Sequence, residues 1–406
     1  MAVNAFVRAA AAFALVVAAC NGSDSATTNV PAPAVTTSTP GTAPIPPGPG
    51  RLAVIDGGGD VVTMRSDGTD RLALTNDGGA VGHWQPLWSP VGDRLVWADT
   101  TASGSTLVVR DGDEVVSIPM SAMPFFSMWS PDGTRIGVLH NAARGGLELE
   151  IVDVFQGGSN VVGTGAPLYF SWGPDGTQIV SHVGAETLSI FGADGVTALG
   201  STGGDFQTPS WTPAGIVHVV DGALVLQDRD GNLRPIAVVS GPTTMVVGPD
   251  GERIAVQVFG PDEPGVFASH ASVPEIPPNA VVVLDPETGD FEVASGRTSL
   301  GYFWSPDGAS LLILMPAVRE GELEWWVWQE GEIITRVAFI PTASLVRDLV
   351  PFFDQYAQAW RPWAPDSSGF AFVGTIDGST GVWVHDLGLT EPRFLSEGDW
   401  VAWSAR

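Results

Sequence analysis

Trp129-Ser130-Pro131-Asp132-Gly133 returns as Trp304-Ser305-Pro306-Asp307-Gly308, and altered copies run the length of the chain. They read Trp88-Ser89-Pro90, Trp172-Gly173-Pro174-Asp175-Gly176, Trp211-Thr212-Pro213, Val247-Gly248-Pro249-Asp250-Gly251 and Trp363-Ala364-Pro365-Asp366, with Trp403-Ser404 as a closing half-copy. Successive turn prolines are 41, 43, 39, 36, 57 and 59 residues apart. Self-similarity at such a period means one supersecondary unit per repeat, each packed on its neighbours. The motif suits a tight turn: Pro presets φ, Ser and Asp bond the local backbone, and Gly accepts positive φ. The Trp before it occupies seven of the 15 Trp positions and offers a broad apolar face between neighbouring sheets.

Each unit reads as four strands. In the second, an apolar strand ends at Leu87-Trp88, followed by the turn, Arg94 to Ala98, Thr106 to Arg110 and Glu114 to Ile118. These motifs resemble the TolB-type, WD-like β-propeller repeats of bacterial envelope proteins, over roughly residues 51 to 406. The resemblance implies an all-β, closed β-propeller and leaves function open, because propellers host unrelated roles. The ends of the chain set the blade count. Arg51 to Ile55, Val61 to Met64 and Arg71 to Thr75 match strands two to four of a unit lacking its first strand; Trp400 to Ser404 matches a first strand lacking its followers. Joined, they complete the first blade with the C-terminal strand and remove the sheet edges. This predicts eight four-stranded blades, or seven if the degenerate unit near Val247 merges with a neighbour.

Residues 1–19 carry one cation, Arg8, then an apolar run from Ala9 to Val17 and small residues, which is a signal-peptide pattern too short for a stable membrane span. Val17-Ala18-Ala19-Cys20 resembles a bacterial lipobox, which makes Cys20, the only Cys, the expected lipidated first residue of the mature chain. Several acyl chains there would anchor stably where one would be marginal. Residues 20–50, rich in Thr, Pro, Ala and Ser, read as a tether, and residues 51–406 as the propeller. The expected address is extracytoplasmic, on a bacterial cell membrane.

A formal charge of −27, with all 18 basic residues Arg, repels nucleic acid and anionic lipid headgroups. No Gly-x-Ser-x-Gly elbow, His-Glu-x-x-His or glycine-rich phosphate loop is present. The six His residues lack metal-ligand spacing, so neither metal nor cofactor is expected; acidic turns such as Asp67-Gly68-Thr69-Asp70 could attract Ca²⁺ but lack a full calcium loop. His140, His182, His218 and His385 read as structural.

Two units carry long insertions, Gly260 to Asn279 and Pro341 to Gln358, which strand order places on one face over blades six to eight. Long loops on a rigid scaffold are where binding concentrates. Leu345, Leu349, Phe352, Phe353 and Tyr356 fall at roughly helical spacing. That stripe either packs on the propeller's own rim or presents an aromatic patch. The candidate binding residues are therefore His270, Arg347, Phe352, Phe353 and Tyr356. Trp326 and Trp328 should share one face of their strand and Trp325 the other, all in inter-blade packing. The expected role is a lipid-anchored, non-catalytic scaffold for an envelope protein, peptide or glycan. The alternative is a propeller hydrolase or lyase with a carboxylate or metal site at the central channel.

Overall fold

The computed structural model describes residues 50–184, 187–192, 195–201, 207–260 and 273–405. Within them, eight antiparallel sheets form the blades of a closed propeller. The second blade is typical, with strands Gly82–Trp88, Leu95–Thr101, Gly104–Asp111 and Glu114–Met120 running outward from the axis. The expected closure is present. Gly398–Trp403 pairs antiparallel with Arg51–Asp56, matching Leu52 to Trp403 and Val54 to Val401, so one blade is built from both ends of the described chain. Arg51 and Ser404 lock the seam through the Ser404 N–H to the Arg51 carbonyl at 2.8 Å and the Arg51 N–H to Ser404 Oγ at 3.1 Å.

Blade eight has the thinnest inner strand. Trp363 pairs with Phe370, the Ala364 N–H reaches the Gly369 carbonyl at 2.9 Å, and the Ala371 N–H reaches the Pro362 carbonyl at 2.8 Å. Pro362 and Pro365 bracket this strand and donate nothing, which keeps the ladder short.

The repeated turn has the local chemistry its residues suggest. Ser130 Oγ donates to Asp132 Oδ1 at 2.6 Å, Asp132 Oδ1 accepts the Thr134 N–H at 3.0 Å, and Gly133 sits at φ +66°. A side chain at Gly133 would also meet Ser89 of the preceding turn at 2.6 Å, so the turns nest around the ring.

The motif tryptophans do more than pack. The indole N–H of Trp129 donates to the Leu87 carbonyl at 3.1 Å, Trp172 to Met128 at 3.1 Å, Trp304 to Val246 at 2.9 Å and Trp363 to Phe303 at 3.0 Å. In each case the acceptor immediately precedes the equivalent motif position one blade back. Trp88 occupies the same position with its buried indole nitrogen unpartnered. The Trp325 cluster follows the expected alternation: Trp325 is fully buried and stacks on Phe339 at 6.1 Å, while Trp326 lies under the Arg336 guanidinium at 4.2 Å.

A buried indole bond adds about 1 kcal/mol to the apolar term. Trp129→Phe should therefore lower unfolding stability by about 1 kcal/mol more than Trp88→Phe in parallel denaturant titrations. Equal losses would show that these tryptophans act by burial alone.

Candidate functional site

Every inner strand of a propeller turns one edge toward the axis, and its N–H and C=O groups must find partners there. Here the partner is the segment 342–361, which leaves blade seven, crosses the axis and becomes the inner strand of blade eight. Its turns run from Leu345–Leu349 through Val350–Phe352 to Phe353–Tyr356. This corrects the expectation of a stripe on the rim or on the surface: the segment is a plug in the central channel.

Its polar side chains satisfy inner edges on several blades. The Gln355 amide accepts the Phe170 N–H and donates to the Phe170 carbonyl, both at 2.8 Å, as a neighbouring strand would. Tyr356 Oη donates to the Phe125 carbonyl at 3.1 Å and receives the Gln85 amide. Gln85 lies at a bulge with φ +48°, a left-handed conformation that redirects the strand there. Gln358 Nε2 donates to the Pro209 carbonyl at 3.2 Å, Trp360 Nε1 to Val401 at 2.7 Å and Arg361 Nη1 to Trp88 at 3.2 Å. The apolar residues fill the remaining space. Phe353 meets Tyr302 at 4.9 Å, and Tyr356 meets Phe126 edge-on at 5.1 Å. Gly301 lies close under Phe353, where a Cβ would approach the ring to 3.1 Å and the ring would have to shift by a few tenths of an ångström.

Asp354 is the exception to this good fit. It is buried beside Thr208, near Tyr169 and Tyr302, and burial pushes its carboxyl up to about 6 against the pull of Thr208 and the Gln355 N–H.

On the insertion-bearing face, where the plug enters, a cleft of about 170 Å³ lies between it and blades eight, one and two. Trp84, Trp400, Leu345 and Leu349 form its walls, and Asp348, Asp399 and His83 stand at its edge. Asp399 still reaches solvent, yet the cleft walls and then the Asp348 charge raise its pKa. Next to it, His83 is buried; its Nδ1 lies 2.6 Å from Asp99 Oδ1 and its Nε2 3.1 Å from Asp77 Oδ1. These carboxylates outweigh burial, and the His83 pKa is raised.

The candidates named from sequence are distributed accordingly. Phe353 and Tyr356 are buried in the channel and Phe352 is half-buried. Arg347 is exposed beside the cleft and forms a two-pronged ion pair with Asp348, both contacts at 2.6 Å. His270 and Cys20 lie outside the described residues, as do the leader and most of the tether. His140, His182 and His218 are buried and bonded to Glu150, the Gln207 carbonyl and Gln227; His385 is buried against Phe370. Sequence reasoning missed Gln355, Asp354 and the His83 cluster. The members of that cluster, His83, Asp77, Asp99 and the neighbouring Asp60, come from separate turns and strands of two blades, with no spacing that marks them.

No family model matches the chain, and no curated protein does. Many solved structures share its shape. An oligogalacturonate lyase in complex with manganese aligns with TM-score 0.50 and 15% identity over 82% of this chain and 94% of that one. One of two prolyl endopeptidases described together aligns with TM-score 0.51 and 12% identity over 80% of this chain and 50% of that one. TolB from Acinetobacter baumannii aligns with TM-score 0.41 and 16% identity over 65% of this chain and 64% of that one, so less than two thirds of its length is spanned.

For a carboxyl raised in the folded state, stability is fully present below its ordinary pKa and is lost as pH rises through the folded value. A shift of about 2 units corresponds to about 3 kcal/mol. The stability of Asp354→Asn relative to the parent should therefore rise by about 2–3 kcal/mol between pH 4 and pH 7.5 in urea titrations. A difference that stays constant with pH would contradict the buried, raised carboxyl. At these identities the shared feature is the fold, and by fold the chain is an eight-bladed β-propeller.

Proposed function

We propose that the chain is a non-catalytic binding scaffold, held at the outer side of a bacterial membrane through Cys20, with its recognition surface on the insertion-bearing face. The filled channel is the observation that supports this most. The plug occupies the axial space where a channel-centred hydrolase or lyase would need its substrate, and its side chains are committed to the inner strands. The cleft between the plug and blades eight, one and two is concave and mostly apolar, with a few polar groups at its edge, as binding pockets usually are. The partner fitting this reading is an envelope protein, peptide or glycan. The overall charge of −27 disfavours nucleic acid.

Two variants of the full chain test the two parts of this reading. Cys20→Ser should move the protein from the membrane to the soluble fraction; membrane retention at parental levels would contradict the anchor. Val81→Trp should fill the cleft while leaving every residue of the plug unchanged. A stoichiometric partner captured from detergent-solubilised envelopes should be retained at least ten-fold less by this variant. Equal retention would place recognition elsewhere.

A further inference from the structure

We propose that the corner between blades one and two is a binding site for a divalent transition metal of the zinc class, ligated by His83 Nε2 and the carboxylates of Asp60 and Asp77. One ligand atom from each of these residues lies within 4.8 Å of the others. Three protein ligands of mixed nitrogen and oxygen type, leaving a further position open, match the coordination of such an ion at an accessible site. The site adjoins the cleft, which His83 also lines, but it stands independently of the scaffold reading.

The imidazole is prepared for the role. Its ring is buried and its Nδ1 faces Asp99 Oδ1 at 2.6 Å. An Nδ1–H donated to that carboxylate leaves the Nε2 lone pair facing Asp77 Oδ1, 3.1 Å away. A carboxylate behind a metal-bound histidine commonly fixes the tautomer and raises ligand basicity. The acid ligands are prepared differently. Asp60 Oδ1 accepts the Gly78 N–H at 2.9 Å and the Thr75 hydroxyl at 3.0 Å, which hold the carboxylate in place and ionised. The Asp77 side chain is 52% exposed, so an ion can reach it from solvent.

The backbone brings these loops together through glycine. A Cβ on Gly78 would lie 2.4 Å from the Gly59 carbonyl carbon and 2.6 Å from the Gly58 oxygen. Only a residue without a side chain permits this approach, and it sets Asp60 and Asp77 on either side of one small space. Charge points the same way. A protonated His83 faces Asp60, Asp77 and Asp99, leaving two negative charges uncompensated; a dication in place of that proton removes one of them. A histidine serving only as a clamp between Asp77 and Asp99 would need neither Asp60 nor the glycine contact.

The test is a titration of the untagged, purified full chain carrying Cys20→Ser, so that no thiol competes. Co²⁺ should produce visible absorption bands that saturate at one equivalent and disappear on Zn²⁺ addition. Asp77→Asn removes a half-exposed ligand, and Gly78→Ala separates the loops while keeping every ligand. Each should weaken binding at least ten-fold while leaving the near-ultraviolet circular dichroism of the fold unchanged. Absence of a saturable site at millimolar Co²⁺, or equal affinity in the parent and both variants, would overturn the proposal.

Discussion

The bond from a motif indole to the carbonyl one blade back sets the geometry on which the rest depends. Trp129, Trp172, Trp304 and Trp363 each reach the residue preceding the equivalent position of the previous repeat. A directional contact repeated in this way holds neighbouring inner strands at one level, which packing alone, being non-directional, would not. These bonds fix four of the junctions, and the closed ring of eight inner strands encloses an axial space too wide for their own side chains to satisfy every edge. The plug follows from that constraint. Gln355 completes Phe170 as a strand would, and Tyr356, Gln358, Trp360 and Arg361 cap carbonyls on blades three, five, one and two.

The architecture was legible because turn chemistry is local. Ser-Pro-Asp-Gly states its own backbone conformation, its period counts the units, and the unmatched strands at 51–75 and 400–404 predict the composite blade. The destination of the 341–358 insertion was not legible. Leu345, Leu349, Phe353 and Tyr356 announced a buried face, and they are buried. What buries them is set by the width of an eight-bladed channel, a property of the closed ring that no window of sequence contains. Gln355 illustrates the limit: an ordinary amide in the sequence, it makes two bonds into the middle of a distant inner strand. The His83 cluster was hidden for a related reason. Asp60, Asp77, His83 and Asp99 converge only because consecutive blades place their loops on one face, and Gly59 against Gly78 carries no motif.

A plugged axis moves the opportunity for chemistry from the channel to the face where the plug enters. There the cleft, the His83 corner and the emergence of both insertions coincide. The plug also carries a buried Asp354 whose charged form is disfavoured. The good hydrogen bonds on either side of it hold that carboxylate in place, as expected where a segment is selected for position rather than for local stability.

The plug is the central claim, and amide hydrogen exchange of residues 353–360 in the full chain tests it most directly. In the channel, these amides should exchange only with global opening, at rates matching those of the inner strands Pro124–Trp129 and Leu168–Trp172. Exchange at the rate of an exposed surface loop, while those strands stay protected, would contradict the account.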